Sequence, residues 1–248
     1  MTYQMVDFLQ ELKKWFDIRR LVDYKKPSSR SICLLRHDVD LSIEEALKIA
    51  KIEYSLNIQS TYFVLHDAKY YRDKDFIKNC QKLQDMGHEV GFHNNLLTVA
   101  IKTGCDIKDA FEKELNYLKD NNINIFGIAA HGDYKCRSLD YTNYEIFKGC
   151  SPPYKKKREV FRGIELHTLD LKDYGLYEAY FLPRDFYITD SRGTWRYIQG
   201  EGDEWDPKFR PHSPQFKDIL PFLRKISEDN IILQALLHPN PKLIEVKE

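Results

Sequence analysis

The sequence predicts an α/β protein folded as one domain around a largely parallel sheet. Three observations carry this expectation. Short apolar runs alternate with helical patterns along the chain, the mark of βα units. The apolar runs end in polar residues, as strands do where they meet functional loops. Finally, 248 residues with 42% hydrophobic content can bury a large single core, and no long linker or internal repeat divides the chain.

Phe8, Leu9, Leu12 and Trp15 stand among charges at helical spacing, so residues 1–30 are expected to form a helical extension, with 31–248 as the sheet-forming body. Ile32 to Asp38 reads as the first strand. Ser42 with Glu45 forms a capping box, and Ile43, Ala46, Leu47, Ala50 and Tyr54 follow at helical spacing, which puts Asp40 in the strand-to-helix loop. Thr61 to Leu65 is the next strand, Phe76 to Met86 a helix ended by Gly87, and His88 to His93 a third strand. Asp106 caps a helix carrying Ile107, Phe111, Leu115 and Leu118, after which Ile125 to Ala130 reads as a strand ending at His131-Gly132. Between Ser151 and Tyr180 the pattern weakens into an elaborated connection. Phe186 to Thr189 is strand-like, Phe216 to Ile226 helical despite Pro221, and Ile231 to Leu237 a last buried strand ending at His238-Pro239.

Composition excludes several classes. The 38 basic and 38 acidic residues balance, so no long-range field favours nucleic acid or an anionic membrane. Five cysteines without Cys-x-x-Cys spacing suggest neither a disulfide framework nor a zinc ribbon, and reduced thiols fit a cytoplasmic location. The N-terminus lacks a signal-type apolar stretch and no 18-residue apolar run follows, so export and membrane insertion are not expected.

In parallel α/β folds, side chains from separate loops meet at the carboxyl ends of the strands. Those ends here carry Asp38 with Asp40, His66 with Asp67, His93 with Asn94 and Asn95, His131 with Asp133, Asp190, and His238. Residues two apart on a strand share a face, so Asp38 and Asp40 point together while His37 points away. Carboxylates and imidazoles gathered from distant positions suit a mononuclear divalent site, zinc first, with manganese, nickel or cobalt as alternatives. His88 lies five residues before His93, about 16 Å along a strand and on the opposite face, which sets it apart from such a site. The bland alternatives are that Asp40 caps the following helix and that His131-Gly132 is turn chemistry.

The segments around Asp38 and Asp40, Gly87-His88-Glu89-Val90-Gly91-Phe92-His93, and Leu236-Leu237-His238-Pro239 resemble the ordered motifs of the polysaccharide deacetylase superfamily, also called carbohydrate esterase family 4 (CE4). The resemblance spans about residues 31 to 240. Within that superfamily the chain is similar to a branch linked to bacterial surface-polysaccharide and O-antigen loci, whose members pair a His-Asp-x-Asp strand end with an Asp-Ser-Arg-Gly-x-Trp segment, here Asp190 to Trp195. It implies a distorted (β/α) barrel of about seven strands over 31–248, metal-dependent hydrolysis of N- or O-acetyl groups, and a carbohydrate substrate.

By the same resemblance Asp38 takes the position of the base and Asp40 that of a metal ligand, although the two roles could be exchanged because Val39 separates them. The family's His-Ser/Thr-x-x-His motif supplies two ligands, yet Leu97 follows His93 four residues on. Either His131 or a neighbour such as His66 then completes the set, or the metal is bound weakly or not at all. His238 would protonate the leaving group. Asp190, Arg192 and Trp195 combine an acid, a guanidinium and an indole, a mixture that binds sugars; the competing reading is a glycine turn with a core tryptophan.

Two other readings remain. A non-catalytic sugar-binding barrel would follow from the absent histidine at 97. A metal-dependent glycosyltransferase would follow from Asp38-Val39-Asp40, but it needs a nucleotide-binding half of about 100 residues, and 37 residues precede Asp38.

Overall fold

The structure, a computed structural model, describes residues 5–152, 161, 163–191, 194–203, 206–208, 210–213 and 216–239. It opens with helix α1 (Met5–Trp15) and the short strand β1 (Asp17–Arg19). Then come β2 (Ile32–Val39), α2 (Ile43–Ser55), β3 (Thr61–Leu65), α3 (Phe76–Asp85), β4 (Glu89–Asn94), α4 (Leu96–Thr103), α5 (Ile107–Asp120) and β5 (Gly127–Ala130). The rest comprises α6 (Tyr134–Ser138), β6 (Tyr177–Glu178), β7 (Phe186–Thr189), β8 (Trp195–Gln199), β9 (Arg210–Ser213), α7 (Phe216–Ile226) and β10 (Ile232–Leu237). Every strand expected from the sequence is present. Helices α4 and α6 and strands β1, β6, β8 and β9 are additions, most of them too short to leave a periodic trace.

Among the described residues one sheet runs β6-β5-β4-β3-β2-β10-β7-β8-β9. All its pairings are parallel except β7 with β8 and β8 with β9. Strand β2 is central: β10 runs along one edge, while the other edge is shared by β1 at residues 32–34 and β3 at 36–39. The sheet curls on itself, bringing Tyr180, just past β6, within 5.8 Å of the Tyr187 ring on β7. This is a single α/β unit with a curled, barrel-like sheet. The described helices include none long and apolar enough to cross a membrane.

Alternation along β2 separates two environments. Cys33, Leu35 and Val39 face outward into clusters covered by α1, α2 and α7, while Leu34, Arg36 and Asp38 face the barrel interior. The first thirty residues thus add both a helix and a strand, with Phe8, Leu9 and Leu12 buried against the outer face. Gly91, two residues before His93 on β4, is needed for space: a Cβ there would stand 2.4 Å from the Phe63 ring. Helix α2 begins at Ser42, whose hydroxyl accepts the Glu45 N–H at 3.2 Å. Glu45 itself turns to Lys48, so the cap is one-sided.

Candidate metal and acid-base centre

Six strand-end residues define the site, and parallel pairing brings their termini together. Asp38 lies on β2 and Asp40 one residue beyond it; His93 lies near the end of β4; His131, Asp190 and His238 each follow directly on β5, β7 and β10. Because Ser42 caps α2, Asp40 is not used as the cap and its carboxylate is free to face the histidines. Asp40 Oδ1 is 3.3 Å from His93 Nε2 and 3.5 Å from His131 Nδ1, and those two imidazole nitrogens are 3.2 Å apart.

The protonation of His93 follows from its partners. Its Nδ1 lies 2.8 Å from the Ala129 carbonyl oxygen, which can only accept, so Nδ1 carries the hydrogen and Nε2 presents a lone pair to the cluster. Asp40 Oδ1 is buried and receives no hydrogen bond within the protein. An orphaned carboxylate oxygen facing two imidazole nitrogens is the donor set that a divalent cation satisfies. Asp40, His93 and His131 offer one atom each within 4.8 Å of one another, an arrangement that can hold a metal ion. Without the ion, burial pushes the Asp40 carboxyl up, but the neighbouring His131 and His93 imidazoles outweigh this and hold it well below the usual range. Burial likewise lowers His131, and Asp40 more than reverses it.

The remaining groups surround this point. Asp38 Oδ2 accepts from the buried Arg36 guanidinium at 3.0 Å and lies 3.6 Å from His93 Nε2; its Oδ1 is buried without a partner. Arg36 also lies over the Tyr180 ring at 4.4 Å. On the other side, His238 Nε2 is 4.0 Å from Asp40 Oδ2, while its Nδ1 is 2.7 Å from Asp190 Oδ1. Asp190 also accepts the His238 backbone N–H. Burial works against a charged His238, but the carboxylates of Asp190, Asp40 and Asp38 lift it to about 10.

The structure separates the other sequence candidates. His66 Nε2 accepts the Asn95 backbone N–H at 3.1 Å, and burial pushes the group down to about 4, so it is neutral and committed elsewhere. Asp67 accepts from the Asn95 amide. His37 bonds Glu53 on the outer face, and His88 accepts from Ser60 N–H, as strand parity predicts. Leu97 is fully buried on α4, in the outer cluster.

Trp195 requires a correction. As a sugar platform it would have to face the cluster, but it is 2% exposed and its ring stacks on Phe8 at 5.4 Å, under α1 on the outer face of the sheet. The reason is topological: the chain reverses into β8, and pairing with β7 turns residue 195 outward. Asp190 stands beside His238, where it orients that ring. Arg192 lies outside the described residues.

Sequence reasoning missed Arg36, although residues 36 and 38 share a face by the same two-residue rule that pairs Asp38 with Asp40. It also missed Asn143, for which the only local signal is the buried capping box of Thr142 and Glu145 beside it.

No protein-family model and no curated protein matches the chain. Among solved structures it is similar to a CE4 esterase from Streptococcus mutans, with a TM-score of 0.52 and 13% identity, over 98% of this chain and 82% of that one. At this identity the likeness concerns the fold, and it agrees with a deacetylase-like barrel.

Proposed function

We propose that the protein is a metal-dependent hydrolase that removes acetyl groups, N- or O-linked, from a sugar or a surface-polysaccharide precursor in the cytoplasm. The observation that carries this reading is the meeting of Asp40, His93 and His131 with an Asp190–His238 pair and Asp38 at one end of a barrel shared with a CE4 esterase. Asp40, His93 and His131 would hold the ion. When bound, a divalent ion such as zinc supplies Lewis acidity, polarising an acyl carbonyl and bringing the pKa of water toward about 7.

The protein's own groups divide the remaining work. Asp38, fixed by Arg36 and offering a free Oδ1, accepts the proton of the attacking water. That free Oδ1, on a carboxylate held in place by Arg36, favours Asp38 as base over Asp40, which faces the imidazoles. His238 keeps Nε2 toward the cluster and donates its proton to the departing amine or alkoxide. Asp190 on Nδ1 fixes the ring and keeps it charged. In this reading Leu97 is no obstacle, because His131 would supply the third ligand.

The test is acetate release by purified protein supplied in turn with zinc, manganese, nickel and cobalt, using acetylated amino sugars, O-acetylated sugars and an aryl acetate. Metal-dependent acetate release is expected. No release with any ion and any of these substrates overturns the reading.

A further inference from the structure

His131 lies just past the end of β5, where a strand gives way to a loop, and its backbone is nevertheless held on both sides. Its N–H donates to the Asn94 carbonyl at 2.8 Å, and its carbonyl accepts from the Asn143 side-chain amide at 2.7 Å. Asn143 is twelve residues further on, in a short 3-10 turn locked by the buried Thr142–Glu145 box.

The orientation of the Asn143 amide follows from donor and acceptor logic. Thr98 N–H can only donate and lies 3.1 Å from Asn143 Oδ1, so the oxygen must face α4 and the nitrogen must face His131. The same Nδ2 also reaches Asn95 Oδ1 at 3.1 Å and Thr98 Oγ1 at 3.2 Å. The Asn143 backbone carbonyl, in turn, accepts the Asn94 side-chain amide at 2.7 Å. Asn94 directly follows His93 and Asn95 follows it in turn, so one residue joins the backbone flanking two of the three imidazole and carboxylate corners. Asn94, Asn95, Thr98 and Asn143 are all at most 2% exposed, so water cannot replace a lost bond.

Helix α4 gives this network a further meaning. It contributes no imidazole to the cluster, because Leu97 points into the apolar layer. Its first turn is instead spent on the network: Leu96 N–H donates to Asn94 Oδ1 at 2.9 Å and Thr98 N–H to Asn143 Oδ1. The helix therefore anchors the loop that carries the third ligand.

We propose that Asn143 is a positioning residue for the metal centre: its amide fixes His131 against Asp40 and His93, so that metal affinity depends on it. The inference rests on the reading of Asp40, His93 and His131 as the metal site. Groups that orient metal ligands from outside the coordination sphere typically change affinity by about 10–100-fold.

Cobalt(II) titration of the full-length protein, followed by its visible absorption, tests this with Asn143→Asp, Asn143→Ala and Thr98→Val. Asn143→Asp keeps an oxygen for Thr98 N–H but sets a second oxygen against the His131 carbonyl. Both Asn143 variants are expected to fold, with a lowered metal-free melting temperature because buried donors and acceptors are left unpaired, and to lose about 10–100-fold in cobalt affinity with an altered absorption envelope. Thr98→Val, which leaves the Asn143–His131 bond in place, is expected to keep the wild-type affinity and spectrum. Wild-type affinity and spectrum in both Asn143 variants overturns the proposal, and so does failure of both to fold, since the amide would then serve the fold. A wild-type protein that binds no cobalt and no zinc instead removes the metal-site reading itself.

Discussion

Asp190 Oδ1 sits 2.7 Å from His238 Nδ1, and the same carboxylate accepts the backbone N–H of His238. The pair locks one ring nitrogen and leaves the other, Nε2, facing Asp40. In the metal-free protein the imidazolium therefore persists to about 10. Because the folded value is raised above the ordinary 6.5, the stability contributed by the pair is complete below that value and is lost as pH rises toward about 10. Asp190→Asn is expected to shift the imidazole titration downward, read by NMR of the chelated protein. An unchanged titration would detach His238 from Asp190.

Replacing Asp40, His93 or His131 with alanine is expected to abolish tight metal binding, whereas His66→Ala leaves it intact. Metal content after dialysis distinguishes these outcomes. Retention in His131→Ala with loss in His66→Ala would reverse the assignment of the third ligand.

Asp38→Asn separates chemistry from binding. The variant is expected to keep its metal and to lose acetate release by about 10²–10⁴-fold, the usual worth of a positioned general base. Undiminished turnover would return the base role to Asp40.

Trp195→Ala tests the packing assignment. A fully buried indole stacked on Phe8 is expected to contribute about 3–5 kcal/mol to stability when truncated to alanine. Urea unfolding measures this, and a double-mutant cycle with Phe8→Ala is expected to reveal coupling because the rings touch. Wild-type stability with an impaired substrate KM would instead restore Trp195 to the site.

The outer-face network around Glu53 governs acid stability. Burial pushes the Glu53 carboxyl up, but the charge and hydrogen bond of His37, with His88 and Ser60, outweigh this and leave it lowered from 4.5. Its contribution is present above that value and disappears as pH falls through the lower folded value. Glu53→Gln is expected to be less stable near neutrality and to show a shallower acid-side slope in urea midpoints; an unchanged slope would exclude Glu53.

Much of this molecule was legible as sequence because two simple rules act together. Apolar runs ending in polar residues marked the strand termini, and two-residue parity turned Asp38 and Asp40 inward while sending His37 and His88 outward. The mixture of side chains around Trp195 does not say which face residue 195 takes; the antiparallel pairing of β8 with β7 turns it outward. Leu97 drew attention to a missing ligand, but only the pairing of β4 with β5 brings His131 beside His93. Asn143 belongs to no periodic pattern, and its partners become visible only when three separate segments are folded together.

The position of β2 governs how this molecule comes to exist on a ribosome. The strand carrying Asp38 and Asp40 pairs along one edge with β10, and Ser31 meets Ile231 across a separation of 200 residues. Contacts so distant in sequence slow folding. A growing chain therefore carries Asp38 and Asp40 through some 200 further residues of synthesis with one edge of the central strand unpaired. That edge is a template for wrong partners until β10 emerges, and β10 delivers His238 in the same step that closes it.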